Sequence, residues 1–273
     1  GKVDSYGVEV GLDYTKRVNR YLQLHAGAML TWGSNRIRNY IELPAESYQS
    51  HVGQRVDQAF GLEAIGFFKD EADIAASPTQ NFSNVRPGDI KYRDQNGDGI
   101  INEHDAVYFG YGQRIPETNY AFNLGAEYRG IGFNIIFQGA TGLTAPLNVA
   151  GVWQCTPGTG NMSQHYYDNA WRPDGSNQTT ALYPRLTTQD NANNSQSSTV
   201  WYSNINWLKL RNVELYYRLP GSITEKIAMR DARIYIQGRN LFTASNMKVM
   251  DPELMSTVYP VFKGINIGLL LNF

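Results

Sequence analysis

Long stretches of the chain alternate apolar and polar residues with a period of two, which predicts strands with one apolar and one polar face. Over residues 4–14 one face reads Tyr6, Val8, Val10, Leu12 and Tyr14, and the other Ser5, Gly7, Glu9, Gly11 and Asp13. Over 21–32, Leu22, Leu24, Ala26, Ala28, Leu30 and Trp32 oppose Gln23, His25, Gly27, Met29 and Thr31. The same pattern recurs over 119–128, 133–138, 207–219, 233–240 and 265–273. It slips phase near Arg211 and Asn212, where a β-bulge can absorb one residue. The seven predicted strands are mostly about 9–11 residues long, the length of a tilted strand crossing a bilayer and nearly twice that of a sandwich strand.

The connections are as ordered as the strands. Residues 15–20, 129–132 and 220–231 are short links, and 33–118, 139–206 and 241–264 are long ones, in strict alternation. Short turns at one end and long loops at the other characterise outer-membrane barrels. The expected fold is therefore all-β: a transmembrane antiparallel β-barrel with long extracellular loops. Seven strands do not close such a barrel, and an open apolar sheet leaves two unpaired edges. Either strands are hidden in the loops, with 47–59 the first place to look, or the chain is part of a longer one; the second is the expectation here.

Composition agrees. Of 273 residues 18% are charged, and 18 Tyr and 26 Gly suit β-structure with polar loops. Lys and Arg number 24 against 25 Asp and Glu, so there is no basic excess of the kind a nucleic-acid binder shows. No run approaches the length of a membrane helix, whereas an alternating barrel strand averages to a modest hydropathy; the mean hydropathy is −0.42. Cys155 is the single cysteine, which excludes a disulfide scaffold.

One segment carries chemistry. Residues 94–105 fit the twelve-residue calcium loop, with Asp94, Asn96 and Asp98 at positions 1, 3 and 5. Gly99 stands at the sharp turn, Ile100 offers its carbonyl at position 7, and Asn102 and Asp105 occupy positions 9 and 12. Asp105 replaces the usual Glu, and the flanks do not read as two long helices. The expected role is to order a long loop; a turn rich in Asx and Gly without an ion is the other reading. The loop aromatics Trp153, Tyr166, Tyr167, Trp171 and Trp201 are weaker candidates, for stacking on substrate or for packing their loop. Glu71 and Asp73 read as an N-terminal capping cluster of a short helix. No nucleophile, metalloprotease or phosphate-loop pattern occurs, and His25, His51, His104 and His165 are scattered, so catalysis is not expected.

The run Gly88-Asp89-Ile90-Lys91-Tyr92-Arg93 leading into the 94–105 loop resembles a hallmark of the SusC/RagA family of TonB-dependent outer-membrane transporters from Bacteroidetes. Further pieces agree in order: Pro116 to Tyr120, Phe137 to Gly142, Trp207 to Tyr216 with Leu219 and Pro220, Gln237 to Thr243, Asp251 to Glu253, Tyr259 with Pro260, and a terminal Phe273. The stretch from Val261 to Gly264 departs from the family pattern. The resemblance implies the C-terminal part of a 22-stranded barrel whose plug and TonB-contacting segment lie outside these residues. It implies a SusD/RagB-like lipoprotein lid, and import of oligosaccharides or peptides. Glu9, Asp13, Gln23, Asn123, Glu127 and Gln138 would line the lumen. A secreted, calcium-stabilised β protein that binds glycans is the alternative, and a barrel hydrolase a third reading.

Overall fold

A computed structural model describes residues 1–147, 162–254, 259 and 261–273. Its backbone is a seven-stranded antiparallel sheet with every strand beside its sequence neighbour. The strands are β1 (Lys2–Arg17), β2 (Leu22–Asn39), β3 (Thr118–Tyr128), β4 (Ile131–Pro146), β5 (Tyr202–Arg218), β6 (Asp231–Ser245) and β7 (Gly264–Asn272). All seven predicted strands are present, and most outrun the expected length: β2 has 18 residues and β5 has 17. Most of the excess lies at the ends that lead into the long connections, where the strands rise into a folded mass of loop.

Register turns seven separate patterns into one surface. Val10 pairs with Leu30, Leu30 with Tyr120, and Leu12 with Ala28, which faces Phe122. Phe122 pairs with Phe137 and stacks on it, ring centroids 4.7 Å apart. Farther along, Phe133 faces Leu215, Leu215 faces Ile236, and Ile236 faces Ile267. The apolar face is thus continuous across the sheet, and it is bare: Leu12 is 66% exposed and Ile267 79%. In water such a band is a liability; against acyl chains it is the favoured state. The opposite face carries Glu9, Asp13, Gln23, Asn123, Glu127 and Gln138, as expected from their parity.

Arg211 is the anticipated bulge. On one side the ladder passes from Ile136–Asn212 to Phe137–Leu210, and on the other from Asn212–Arg239 to Leu210–Phe242, so Arg211 is skipped in both. The tightest turn, Arg129 and Gly130, has positive φ at both residues (51° and 83°), as a two-residue hairpin turn that follows strand twist requires.

The segment 47–59 does not supply a barrel strand. It begins with a 3-10 turn at Ser47–Gln49, and only its last two residues enter a short strand, Gln58–Leu62. Tyr48 and Gln49 instead donate to backbone carbonyls of Glu103 and His104, at 2.7–3.0 Å. The six short strands of this loop, Gln58–Leu62 included, pair in three two-stranded ribbons, and Leu62 also bridges to Ser198 of the second long loop. The hydrophobic core lies here, not in the sheet: Ile90, Tyr92 and Ile101 from the first long loop pack with Tyr166, Tyr183 and Trp201 from the second, and with Leu143, Ala145, Ile205 and Trp207 from the ends of β4 and β5.

Candidate functional site: the cap built by the long loops

The cap is held by a buried polar knot around Asp89. Gly88, with φ of 86°, turns the chain so that the fully buried Asp89 carboxylate meets four partners. The backbone N–H of Arg86 donates at 2.8 Å, Asn191 and Asn194 donate their side-chain amides at 3.0 and 2.9 Å, and the Arg185 guanidinium pairs at 2.8 Å. Around it, Asn194 accepts from Ile90 N–H at 2.9 Å. Gln80 and Asn193 both donate to the Ile90 carbonyl, at 2.8 and 2.9 Å. Tyr92 donates its hydroxyl to the Asn193 carbonyl at 2.7 Å, and Trp201 its indole N–H to that of Asn194 at 2.7 Å. Burial pushes the Tyr92 phenol far above its usual range and the Tyr183 phenol upward too, so both stay neutral. These bonds join residues about a hundred positions apart and make one body of two loops. Buried polar groups satisfied in this way specify a single packing.

The 94–105 loop hangs from this body. Asp94 accepts amides from Gly97 at 2.6 Å and Gly99 at 2.9 Å; both glycines have positive φ. Asn96 accepts from Asp98 N–H and Asp98 from Ile100 N–H, at 3.0 and 2.8 Å. The buried Asp105 reaches back to the amides of Gln95 at 2.8 Å and Asn102 at 2.9 Å, closing position 12 onto position 2. Burial raises the Tyr48 phenol, and the negative charge of Glu46, Asp105, Asp94 and Asp98 raises it further. The loop therefore keeps its shape through its own amides. Among the described residues no three His, Cys, Asp or Glu side chains converge as a metal site. The shape belongs equally to an ion-free Asx turn.

The structure separates the loop aromatics. Tyr166, Tyr183 and Trp201 form a parallel stack, with centroids 4.8 Å apart for Tyr166–Tyr183 and 6.0 Å for Tyr183–Trp201. Their faces cover one another in the core, so Tyr166 and Trp201 pack the cap and offer no open platform. Trp171 is also buried, against Gly88, whereas Tyr167 is exposed with Arg172 5.5 Å over its ring. Trp153 lies outside the described residues. The capping reading of Glu71 and Asp73 holds: the Asp70 side chain accepts from Asp73 N–H at 2.8 Å at the start of the helix Glu71–Ala75.

A second anchor, invisible in the sequence, ties the loop after β6 to the polar face of the sheet. Lys209, on β5 and almost fully buried, pairs with Asp251 at 2.8 Å and Glu253 at 3.0 Å, and Arg211 at the bulge also pairs with Glu253. Burial raises both carboxyls, but the hydrogen bonds and charge of Lys209 and Arg211 outweigh it and hold them below the usual range. Closer to β3, Glu117 behaves likewise, burial being outweighed by Arg55 and Ser34.

No family model matches the chain. Two curated proteins of Formosa agariphila do. TonB-dependent receptor P26 is 25% identical over 93% of this chain and 26% of its own length. TonB-dependent receptor P3 is 24% identical over 74% of this chain and 19% of its own. The chain therefore spans about a quarter or less of the curated relatives it matches. Among solved structures, the RagAB peptide transporter superposes with a TM-score of 0.71 at 22% identity, covering 99% of this chain and 29% of that one. The RagAB peptide importer in its closed-closed state superposes with a TM-score of 0.70 over 99% of this chain and 30% of the other. These relatives are receptors and transporters, none named as an enzyme. The chain resembles TonB-dependent receptors in sequence, and its fold is that of the corresponding part of the RagAB barrel.

Proposed function

We propose that residues 1–273 are the C-terminal wall and extracellular cap of a TonB-dependent transporter in the outer membrane of a Bacteroidetes-like bacterium. The observation that carries this is the apolar face, continuous in register over seven strands and exposed, with every long connection at the same end. A soluble secreted protein has no use for such a band. In this reading the polar face lines the lumen, and the contact with the TonB complex lies in a part of the protein outside these residues. The cap works with a SusD/RagB-like surface lipoprotein to close over an oligosaccharide or peptide. Its welded loops support this, because a lid docks at lower entropic cost on a surface already ordered. Fractionation of the native host with an antibody to this segment tests the reading. The expected band lies in the outer-membrane fraction, several-fold larger than 30.7 kDa, and co-purifies with a lipoprotein. A soluble band overturns it.

The 94–105 loop is proposed to take calcium through Asp94, Asn96, Asp98, Asn102, Asp105 and the Ile100 carbonyl. An oxygen that accepts one amide keeps a second lone pair, so the donor set remains chemically competent. The ion would supply charge neutralisation for its three carboxylate ligands, Asp94, Asp98 and Asp105. Calcium is expected to raise protease resistance of this loop relative to a chelator, and Asp98→Asn to abolish the difference. Equal digestion with and without calcium identifies an ion-free turn.

A further inference from the structure

Beside the Asp89 knot lies a cavity of about 540 Å³ in the cap, a volume suited to a small ligand or two to three residues of a chain. One wall comes from the first long loop, Arg86 and Pro87; the other comes from the second, with Tyr167, Trp171 and Leu186 among its lining. The walls are fixed by bonds already described. Asp89 accepts from the Arg86 backbone and pairs with Arg185, and Arg185 N–H donates to the Gly88 carbonyl at 2.8 Å. The Trp171 ring lies on Gly88, where any side chain would collide with it.

The charges of the cavity are unequally used. Arg185 is committed to Asp89, and Arg172 stacks over Tyr167 beside Asp174, whose carboxyl is held low first by Ser176 and also by Arg172. Arg86 is exposed, and its guanidinium has no ion-pair or hydrogen-bond partner among the described residues. The remaining surface is aromatic, proline, alanine and leucine, and the lining includes no Asn, Gln, Ser or Thr.

We infer that this cavity is a subsite for an apolar group bearing a carboxylate, the acidic or C-terminal end of a peptide, with Arg86 as the carboxylate partner. A guanidinium presents paired donors that match a carboxylate, and its attraction is strengthened where apolar walls exclude water. The inference rests on the transporter reading for its source of ligand, but not for its chemistry.

The test uses the full-length protein in detergent with its lipoprotein partner, if one co-purifies. The probes are an alanine–leucine tetrapeptide with a free C-terminus, the same peptide as C-terminal amide, and maltotetraose. The free acid is expected to bind about tenfold tighter than the amide, about 1.4 kcal/mol. Arg86→Gln is expected to bring the two within twofold, and Arg86→Lys to restore part of the difference. Because the Arg86 guanidinium has no ion pair or hydrogen bond to lose, protease resistance of the cap should not change in either variant. Equal affinity for acid and amide overturns the inference, as does a preference that survives Arg86→Gln, or maltotetraose binding as tightly as the acid. Fractionation reads the transporter proposal separately. An outer-membrane protein indifferent to the carboxylate loses only the subsite, whereas a soluble protein that still prefers the acid loses only the transporter.

Discussion

The wall and the cap solve opposite problems with the same chain. In the sheet, Val8, Val10, Leu12 and their partners face outward and Glu9 and Asp13 face inward; the strands have no core beneath them. In the cap the order is that of a water-soluble domain, with Trp201, Tyr166 and Ile90 inside. The wall is held by backbone ladders between sequence neighbours, so every contact it needs is local in topology. The cap is held by side chains of residues far apart, Asp89 with Asn191 and Asn194, or Gln80 with Asn193. A ladder tolerates many side chains provided that their polarity alternates. A buried polar knot tolerates few, because each unpaired member costs its full desolvation.

The comparison can be broken most forcefully at Asp89. Asp89→Asn removes the charge paired with Arg185 and is expected to destabilise the cap by about 3–5 kcal/mol. The long loops should become sensitive to limited proteolysis while the β-sheet circular dichroism persists. Simultaneous loss of both signals would show that wall and cap fold as one unit. The next largest effect belongs to the wall. Leu12→Arg on the apolar face is expected to cost about 2–4 kcal/mol in refolding into vesicles, as for an arginine set deep in lipid. Glu9→Arg, on the polar face of the same strand, should fall within about 0.5 kcal/mol; similar costs at the two positions would remove the assignment of faces.

Gly88→Ala is smaller, about 1–3 kcal/mol, since it combines a positive φ with a collision against Trp171. It should loosen the cap without altering vesicle insertion. The smallest effect is the pH response of the loop after β6. Asp251 and Glu253 have folded pKa values below their ordinary ones. The stability they give is therefore complete above the normal carboxylate range, near pH 4, and is lost as pH falls through the lowered values. Proteolysis at this loop is expected to rise on acidification below about pH 4, and Asp251→Asn should flatten that rise. A pH response unchanged by Asp251→Asn would place its origin elsewhere.

Much of the wall was legible because its information is periodic and short-range. Alternation marks all seven strands, and the phase slip near Arg211 and Asn212 marks the bulge. The 47–59 segment misled because a short run says nothing of where its side chains are spent; Tyr48 and Gln49 serve the carbonyls of Glu103 and His104. The loop aromatics showed the same ambiguity. An exposed Tyr167 and a buried Tyr166 are adjacent and chemically identical, and only the stack with Tyr183 and Trp201 tells them apart.

By itself the sequence determined the strands, their apolar face, the alternation of short and long connections and the Asx-Gly turn chemistry of the 94–105 loop. Each depends on residues within a few positions of one another, where spacing and side-chain type suffice. Only the tertiary structure decided that Asp89, Arg185 and the asparagines near 191–194 form one knot, that Lys209 secures Asp251 and Glu253, and that Arg86 is left over beside an apolar cavity. Those pairings are set by which polar groups remain to satisfy one another once the loops are folded together, and that remainder is a property of the whole packing and of no local pattern.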